Sequence, residues 1–244
     1  MLWSLIIGSP LPGKPGWPEA LLILTTALAT ISSLSRILPG QKVLIVTVII
    51  GLLGGLAHGL GAKTAYPFGP FFFEEATGPK FFNARAWPLP LIWIIAILNA
   101  RGVAKLILRP WRKLKNYGYG LIGLTAGLVV LFDLALEPFA AHTGHFWRWL
   151  PTKFPFTWYG APIVNSLGWL VTTLLILAFT TPALTQKTSR AKKKRMDYYP
   201  LVVWLLALTL FATSAFQNQL WLAAALCVLT GITTAIFAVR GARW

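Results

Sequence analysis

The chain has 244 residues, 56% of them hydrophobic and only 11% charged, with a mean hydropathy of +0.67. A soluble domain carries about 25% charged residues, so an ordinary soluble class is excluded and a membrane class takes its place. The formal net charge is +16, which in a membrane chain marks topology before it marks a nucleic-acid partner.

The first residues, MLWSLIIGSP, have a short apolar run without a basic leader or a small-residue cleavage site. A cleaved signal peptide is therefore not expected. A bilayer core takes about 20 mostly apolar residues in a helix. Seven stretches qualify: 18–38, 43–60, 87–108, 119–141, 160–182, 199–216 and 218–239. The third carries Arg101 and Lys105 near its end, where both are expected to snorkel to the interface. The last two are divided only by Gln217, Asn218 and Gln219, read as a tight polar hairpin. The connection 61–86 is too long and too aromatic for an ordinary solvated loop, and is expected to fold back on the bundle or lie at the interface. The lone cysteine, Cys227, rules out an intrachain disulfide and a cysteine-based metal site, and is read as a small packed hydrophobe. No internal repeat stands out. The fold expected is a single integral membrane domain over 1–244: an all-α polytopic bundle of about seven transmembrane helices, or six if the last hairpin is misread.

Loop charge sets the orientation. With seven spans, sixteen of the 22 Lys and Arg fall on the side that holds 101–115, 187–195 and the C-terminus. The positive-inside rule puts that side in the cytoplasm, with the N-terminus outside. The run QKTSRAKKKRMD then reads as a cytoplasmic loop against anionic lipid headgroups, and no nucleic-acid partner is expected. Trp87, Trp147, Trp149, Trp158 and Tyr159 sit near the outer ends, as an aromatic belt would. The chain is expected in a cell membrane, bacterial or archaeal.

The segment DLALEPFAAHTGHFWRWL places two acids at the end of an apolar run. Asp133 and Glu137 are spaced i, i+4 and share one helix face. Counted from residue 141 at 1.5 Å per residue, they lie roughly 12 Å and roughly 6 Å inside the helix end. Acids at such depth are costly and face the bundle interior or a wet cavity. A neutral carboxylic acid in an apolar pocket is what a general acid requires. The structural alternative is an ion pair with Arg148 or Lys153, or a bond to a backbone group. Pro138 is expected to loosen or end the helix. Glu74 and Glu75 lie on the same outer side, at least one of them as a solvated charge. Asn165, inside the fifth span, is expected to bridge helices or to orient a ligand or water. His58, His142 and His145 lack the Glu-x-x-His pattern of helical metal sites, and no metal is expected.

Three stretches carry a resemblance: TAYPFGPFFFEEATGPKFFNARAWPLPLIW, DLALEPFAAHTGHFWRW and WYGAPIVNSLGW. In this order they are similar to the carotenoid biosynthesis membrane proteins that include carotenoid 1,2-hydratases. These are of the gamma-carotene 1',2'-hydratase and bisanhydrobacterioruberin hydratase type. The likeness covers roughly 58–172. The matching pieces are Pro67-Phe68-Gly69, Gly78-Pro79, the Asp133, Glu137 and Pro138 set, and Trp158 to Trp169. One departure stands out: His58 occupies a place where family members often have Glu.

The resemblance implies a cofactor-independent hydratase acting on a linear carotenoid or related isoprenoid lipid. Asp133 or Glu137 would supply the proton, and Asn165 or a histidine would orient water. Phe72, Trp158 and Tyr159 would form a cation-tolerant aromatic wall, with Glu74 and His58 as further substrate-binding candidates. The alternative is a non-catalytic carotenoid- or lipid-binding subunit of a larger membrane complex. A proton-coupled transporter would need acids on several helices and inverted repeats, and the chain shows neither.

Overall fold

The computed structural model describes residues 17–74, 87–152, 155–185 and 197–244. Glu75, the Gly78-Pro79 pair, Lys153 and most of the basic run lie outside the described residues, as does the N-terminal segment 1–16.

The described chain forms seven helices. They are α1 (Trp17–Ser35), α2 (Gly40–Thr64), α3 (Pro88–Ile107), α4 (Tyr117–Pro138), α5 (Ile163–Leu184), α6 (Tyr199–Gln217) and α7 (Trp221–Ala242). They occupy the seven stretches expected. Six are long and apolar enough to cross a membrane; in α1 the apolar stretch Glu19–Ser35 falls short of that length. The protein is a multi-pass membrane bundle. Its outer faces carry large apolar side chains: Leu44, Leu52, Leu56 and Leu60 on α2 are each more than half exposed. Such faces suit lipid tails, not water. The Gln217–Gln219 hairpin is real. α6 ends at Gln217, and Gln219 takes a φ of +58° before α7 begins.

The least apolar of the six spans, α3, is the most buried. It packs against α1, α2, α4, α6 and α7, and every residue from Ile92 to Arg101 is buried. A helix shielded from lipid by its neighbours has no need of an apolar surface all round. The two cations near its end differ in exposure. Lys105 is exposed, whereas Arg101 is 5% exposed and stays within the bundle.

The 61–86 connection folds back where it is described. β1 (Phe71–Phe73) pairs antiparallel with β2 (Trp147–Trp149), in the register Phe71 to Trp149, Phe72 to Arg148 and Phe73 to Trp147. A second small hairpin joins β3 (Thr157–Trp158) to β4 (Ala161–Pro162). Its two loop residues, Tyr159 and Gly160, both have positive φ, +49° and +93°. Tight two-residue hairpins of the primed type require this.

Close approach is built in at Gly54 on α2. A Cβ there would lie 2.3 Å from Trp93 Cγ and 2.8 Å from Trp93 Cβ. Trp93 cannot yield, because its ring stacks on Trp169 at 4.0 Å and its indole donates to His58. Gly54→Ala is expected to lower stability by about 1–3 kcal/mol, the usual cost of overpacking. Gly59→Ala, which meets open space, is the control. Thermal unfolding in detergent measures both.

Candidate active site

Proline 138 has no N–H, so the carbonyl of Leu134, four residues back, loses its helical partner. The helix neither ends nor breaks there. It runs on through a π-helical turn, Phe139–Thr143, and the freed Leu134 carbonyl accepts the indole N–H of Trp158 at 2.8 Å. The β3–β4 hairpin is thus pinned to α4 one residue from Asp133. The same hairpin leads directly into α5, which carries Asn165 and Ser166.

Asp133 is fully buried and Glu137 is 3% exposed. Asn165 Nδ2 donates to both: to Asp133 Oδ1 at 2.9 Å and Oδ2 at 3.2 Å, and to Glu137 Oε1 at 3.1 Å. Ser166 Oγ donates to Asp133 Oδ2 at 3.0 Å. Glu137 Oε2 accepts two indoles, from Trp147 at 3.1 Å and Trp149 at 3.0 Å. Alternate residues of a strand share a face, so the Trp-Arg-Trp order of β2 aims both indoles at the acid and sends Arg148 the other way. Arg148 pairs with Glu74, Nε to Oε1 at 2.8 Å. The expected alternative of an Arg148 partner for the buried acids is therefore corrected: their described side-chain partners are all neutral donors.

The structure brings Asp133, Glu137 and Asn165 together and sets Trp158 beside them. The other residues singled out from sequence lie further out or elsewhere. Phe72 is 43% exposed and faces away, while its neighbour Phe71 is buried against Trp149. Glu74 lines an outer cleft of about 590 Å³ with Arg148, Trp147, Trp149, His142 and Tyr159. Tyr159 anchors the hairpin, its hydroxyl accepting the N–H of Ala223 at 3.3 Å in the first turn of α7.

His58 sits in an aromatic cage of its own. It stacks on Phe68 at 4.0 Å and meets Phe71, Trp93 and Trp169 edge-on. Trp93 Nε1 donates to its Nδ1 at 3.1 Å. An indole only donates, so the ring hydrogen of a neutral His58 belongs on Nε2. Phe71 touches both His58 and Trp149 and so joins the cage to the carboxyl pair. Among the described residues no group of three or more His, Cys, Asp and Glu could hold a metal.

An apolar crevice of about 490 Å³ flanks the neighbouring face of α4, lined by Phe132, Leu136, Phe139 and Phe146 together with residues of α1, α3 and α6. Sequence reasoning missed Trp147, Trp149 and Ser166 as acid partners. The alternation Trp-Arg-Trp was the available signal for the first two.

The Trp158 anchor has a direct test. Trp158→Phe leaves the Leu134 carbonyl without its donor and is expected to cost about 1–2 kcal/mol. Pro138→Ala, which restores a backbone N–H, should recover part of that loss in the Trp158→Phe background. A double-mutant cycle on thermal stability measures the coupling.

Three separated stretches therefore converge. A Cβ on Gly168 would lie 2.7 Å from Phe68, and one on Gly69 would lie 2.7 Å from Pro162, so the Pro-Phe-Gly turn presses on the segment that carries Asn165. No solved structure matches the chain. Over 112 residues it is 30% identical to the bisanhydrobacterioruberin hydratase of Haloarcula japonica, a match covering 46% of this chain and 36% of that protein. The family model described as "Carotenoid biosynthesis protein" matches residues 18–234. With nearly all of its length matched, the chain belongs to the carotenoid biosynthesis protein family.

Proposed function

We propose that the protein adds water to the terminal 1,2 double bond of a linear carotenoid. The observation that carries this reading is the buried pair Asp133 and Glu137, held by one amide and faced by indoles, in a member of a carotenoid biosynthesis family. The partial likeness to a hydratase supports the choice of reaction.

Hydration needs an acid, a dry wall that tolerates positive charge, and one placed water. A carboxyl of the pair gives its proton to C2, and the π electrons of the double bond form the new C–H bond. C1 becomes a tertiary cation. Water attacks C1 and returns a proton to the carboxylate, so the acid is regenerated and nothing is oxidised or reduced. Trp147, Trp149 and Trp158 set indole rings beside the pair, and a cation over the face of such a ring is stabilised in dry surroundings. The Asn165 amide nitrogen is committed to the two acids, while no protein donor reaches its oxygen among the described residues. That oxygen suits a role in orienting water. The apolar crevice beside Phe132 and Leu136 suits a polyene chain arriving from the lipid.

One observation favours a second reading, a carotenoid- or lipid-binding subunit without activity. His58 is enclosed by rings, and the neighbouring Trp169 indole has no hydrogen-bond acceptor among the described residues. The cage is built for packing more than for proton transfer.

Expression in a bacterium that makes lycopene separates the two. The parent is expected to yield pigment heavier by one water, with Asp133→Asn and Glu137→Gln each lowering the yield at least tenfold at equal protein level. Unchanged lycopene co-purifying with the parent would move the binding reading ahead.

We also propose that the carboxyl end of the bundle faces outward and the C-terminus faces the cytoplasm. The clustered cations between α3 and α4, at the opposite end from the pair, support this. A reporter active only outside the membrane, fused after Trp244, is expected to stay silent. Activity there would reverse the orientation.

A further inference from the structure

Arg101 lies on α3 six residues before its end, roughly 9 Å inside the helix. It is 5% exposed. Among the described residues its guanidinium donates to no hydrogen-bond acceptor and pairs with no carboxylate within 4 Å. A guanidinium has five N–H donors in a planar fork, and none of the Arg101 nitrogens is fully enclosed, so the fork is open to a ligand. The side chain lines a cavity of about 250 Å³ between α1, α3 and the start of α6.

The rest of the lining is mostly apolar, with Leu34, Ile37, Leu98, Leu106 and Leu184 around a few polar groups. Lys105, one helical turn on and exposed, lines the same cavity. Thr30 Oγ1 accepts the Asn99 amide at 3.0 Å, which leaves its own hydroxyl hydrogen for another acceptor. Asp197 also lines the cavity, but its carboxylate is engaged, by Ser33 Oγ at 3.1 Å and by the backbone N–H of Tyr199 at 3.0 Å. Among the described lining residues two cations face one carboxylate, a surplus of one positive charge. α3 and α4 are joined at this end, and the carboxyl pair lies at the far end of α4, so the two sites are at opposite ends of the bundle.

We propose that this cavity binds a singly charged phosphate group, with the Arg101 fork and the Lys105 ammonium as its donors. A phosphodiester carries one negative charge, equal to the surplus. Arginine forks match phosphate oxygens in pairs, and basic pockets between transmembrane helices are fitting sites for the headgroups of anionic lipids. The position at the membrane end of α3 makes a phospholipid headgroup the source favoured over free phosphate. The inference stands apart from the carotenoid reading, since neither site shares a residue with the other.

The test uses the full chain, purified in detergent, stripped of lipid and titrated with dioleoyl phosphatidylglycerol under native mass spectrometry. Dioleoylglycerol, with the same tails and no phosphate, is the comparison. The parent is expected to hold one phosphatidylglycerol at least tenfold more tightly than dioleoylglycerol. Arg101→Gln should weaken that binding at least tenfold and Lys105→Gln about threefold. Lys113→Gln, outside the cavity, should leave it unchanged. Displacement of the lipid by millimolar inorganic phosphate would support the site and assign it to small phosphates, whereas resistance to it would assign the site to lipid. Equal binding of the two lipids, or phosphatidylglycerol binding unchanged in Arg101→Gln, would overturn the proposal. If Arg101→Gln fails to fold, Lys105→Gln decides, because an exposed lysine is not needed for packing; unchanged binding there would also overturn it.

Discussion

One side-chain amide, that of Asn165, touches two buried carboxyls, and the outer half of the molecule is arranged so that it can. A carboxyl inside a bilayer has no water to turn to, so every donor it needs must come from the protein. Asp133 and Glu137 share a face of α4, but no residue of that helix can satisfy them. Their donors come from two other places: Asn165 and Ser166 from α5, and Trp147 and Trp149 from a three-residue strand. Each constrains its carrier. α5 must present its first turn to the last turns of α4. The strand must keep a register in which both tryptophans point inward, because a slip of one residue would exchange them for Arg148.

The local irregularities of the chain serve that arrangement. A proline inside a transmembrane helix is tolerated when another group meets the carbonyl it frees. Here Trp158 does so, and in doing so it fixes the hairpin that starts α5. The π-helical turn after Pro138 adds a further adjustment, turning the chain toward β2. π-turns of this kind recur at functional sites. Proline, π-turn, strand and hairpin form a single device whose product is the position of four donors around two acids.

Much of this was legible in the sequence, for identifiable reasons. Helix positions followed from hydropathy because a bilayer demands long apolar runs whatever the tertiary structure. The i, i+4 spacing of the acids and the depth of Asn165 are local properties, and both marked residues that meet. The identity of the acids' other partners was not local. Arg148 was one of the candidate counter-ions by charge and proximity, yet strand alternation turned it to Glu74 and brought its two neighbours inward instead. Phe72 is turned outward by the same alternation, one position from the buried Phe71. The centrality of α3 was hidden for a related reason. Hydropathy reports what lipid would accept, and a helix surrounded by protein escapes that test.

His58 shows how the type of residue at the centre of a cluster of rings decides what that cluster can do. The side chain that stands there receives one indole and is stacked on Phe68, and a second indole nearby, that of Trp169, has no acceptor among the described residues. At Glu137 the comparable pair of indoles converges on one carboxylate oxygen, and both are used. The two clusters are joined through Phe71 and have similar parts, but only one contains acids. The buried acids of this bundle are those of the α4 pair, and the aromatic cage around His58 holds α2, α3, α5 and β1 in the packing that keeps Phe71 against Trp149.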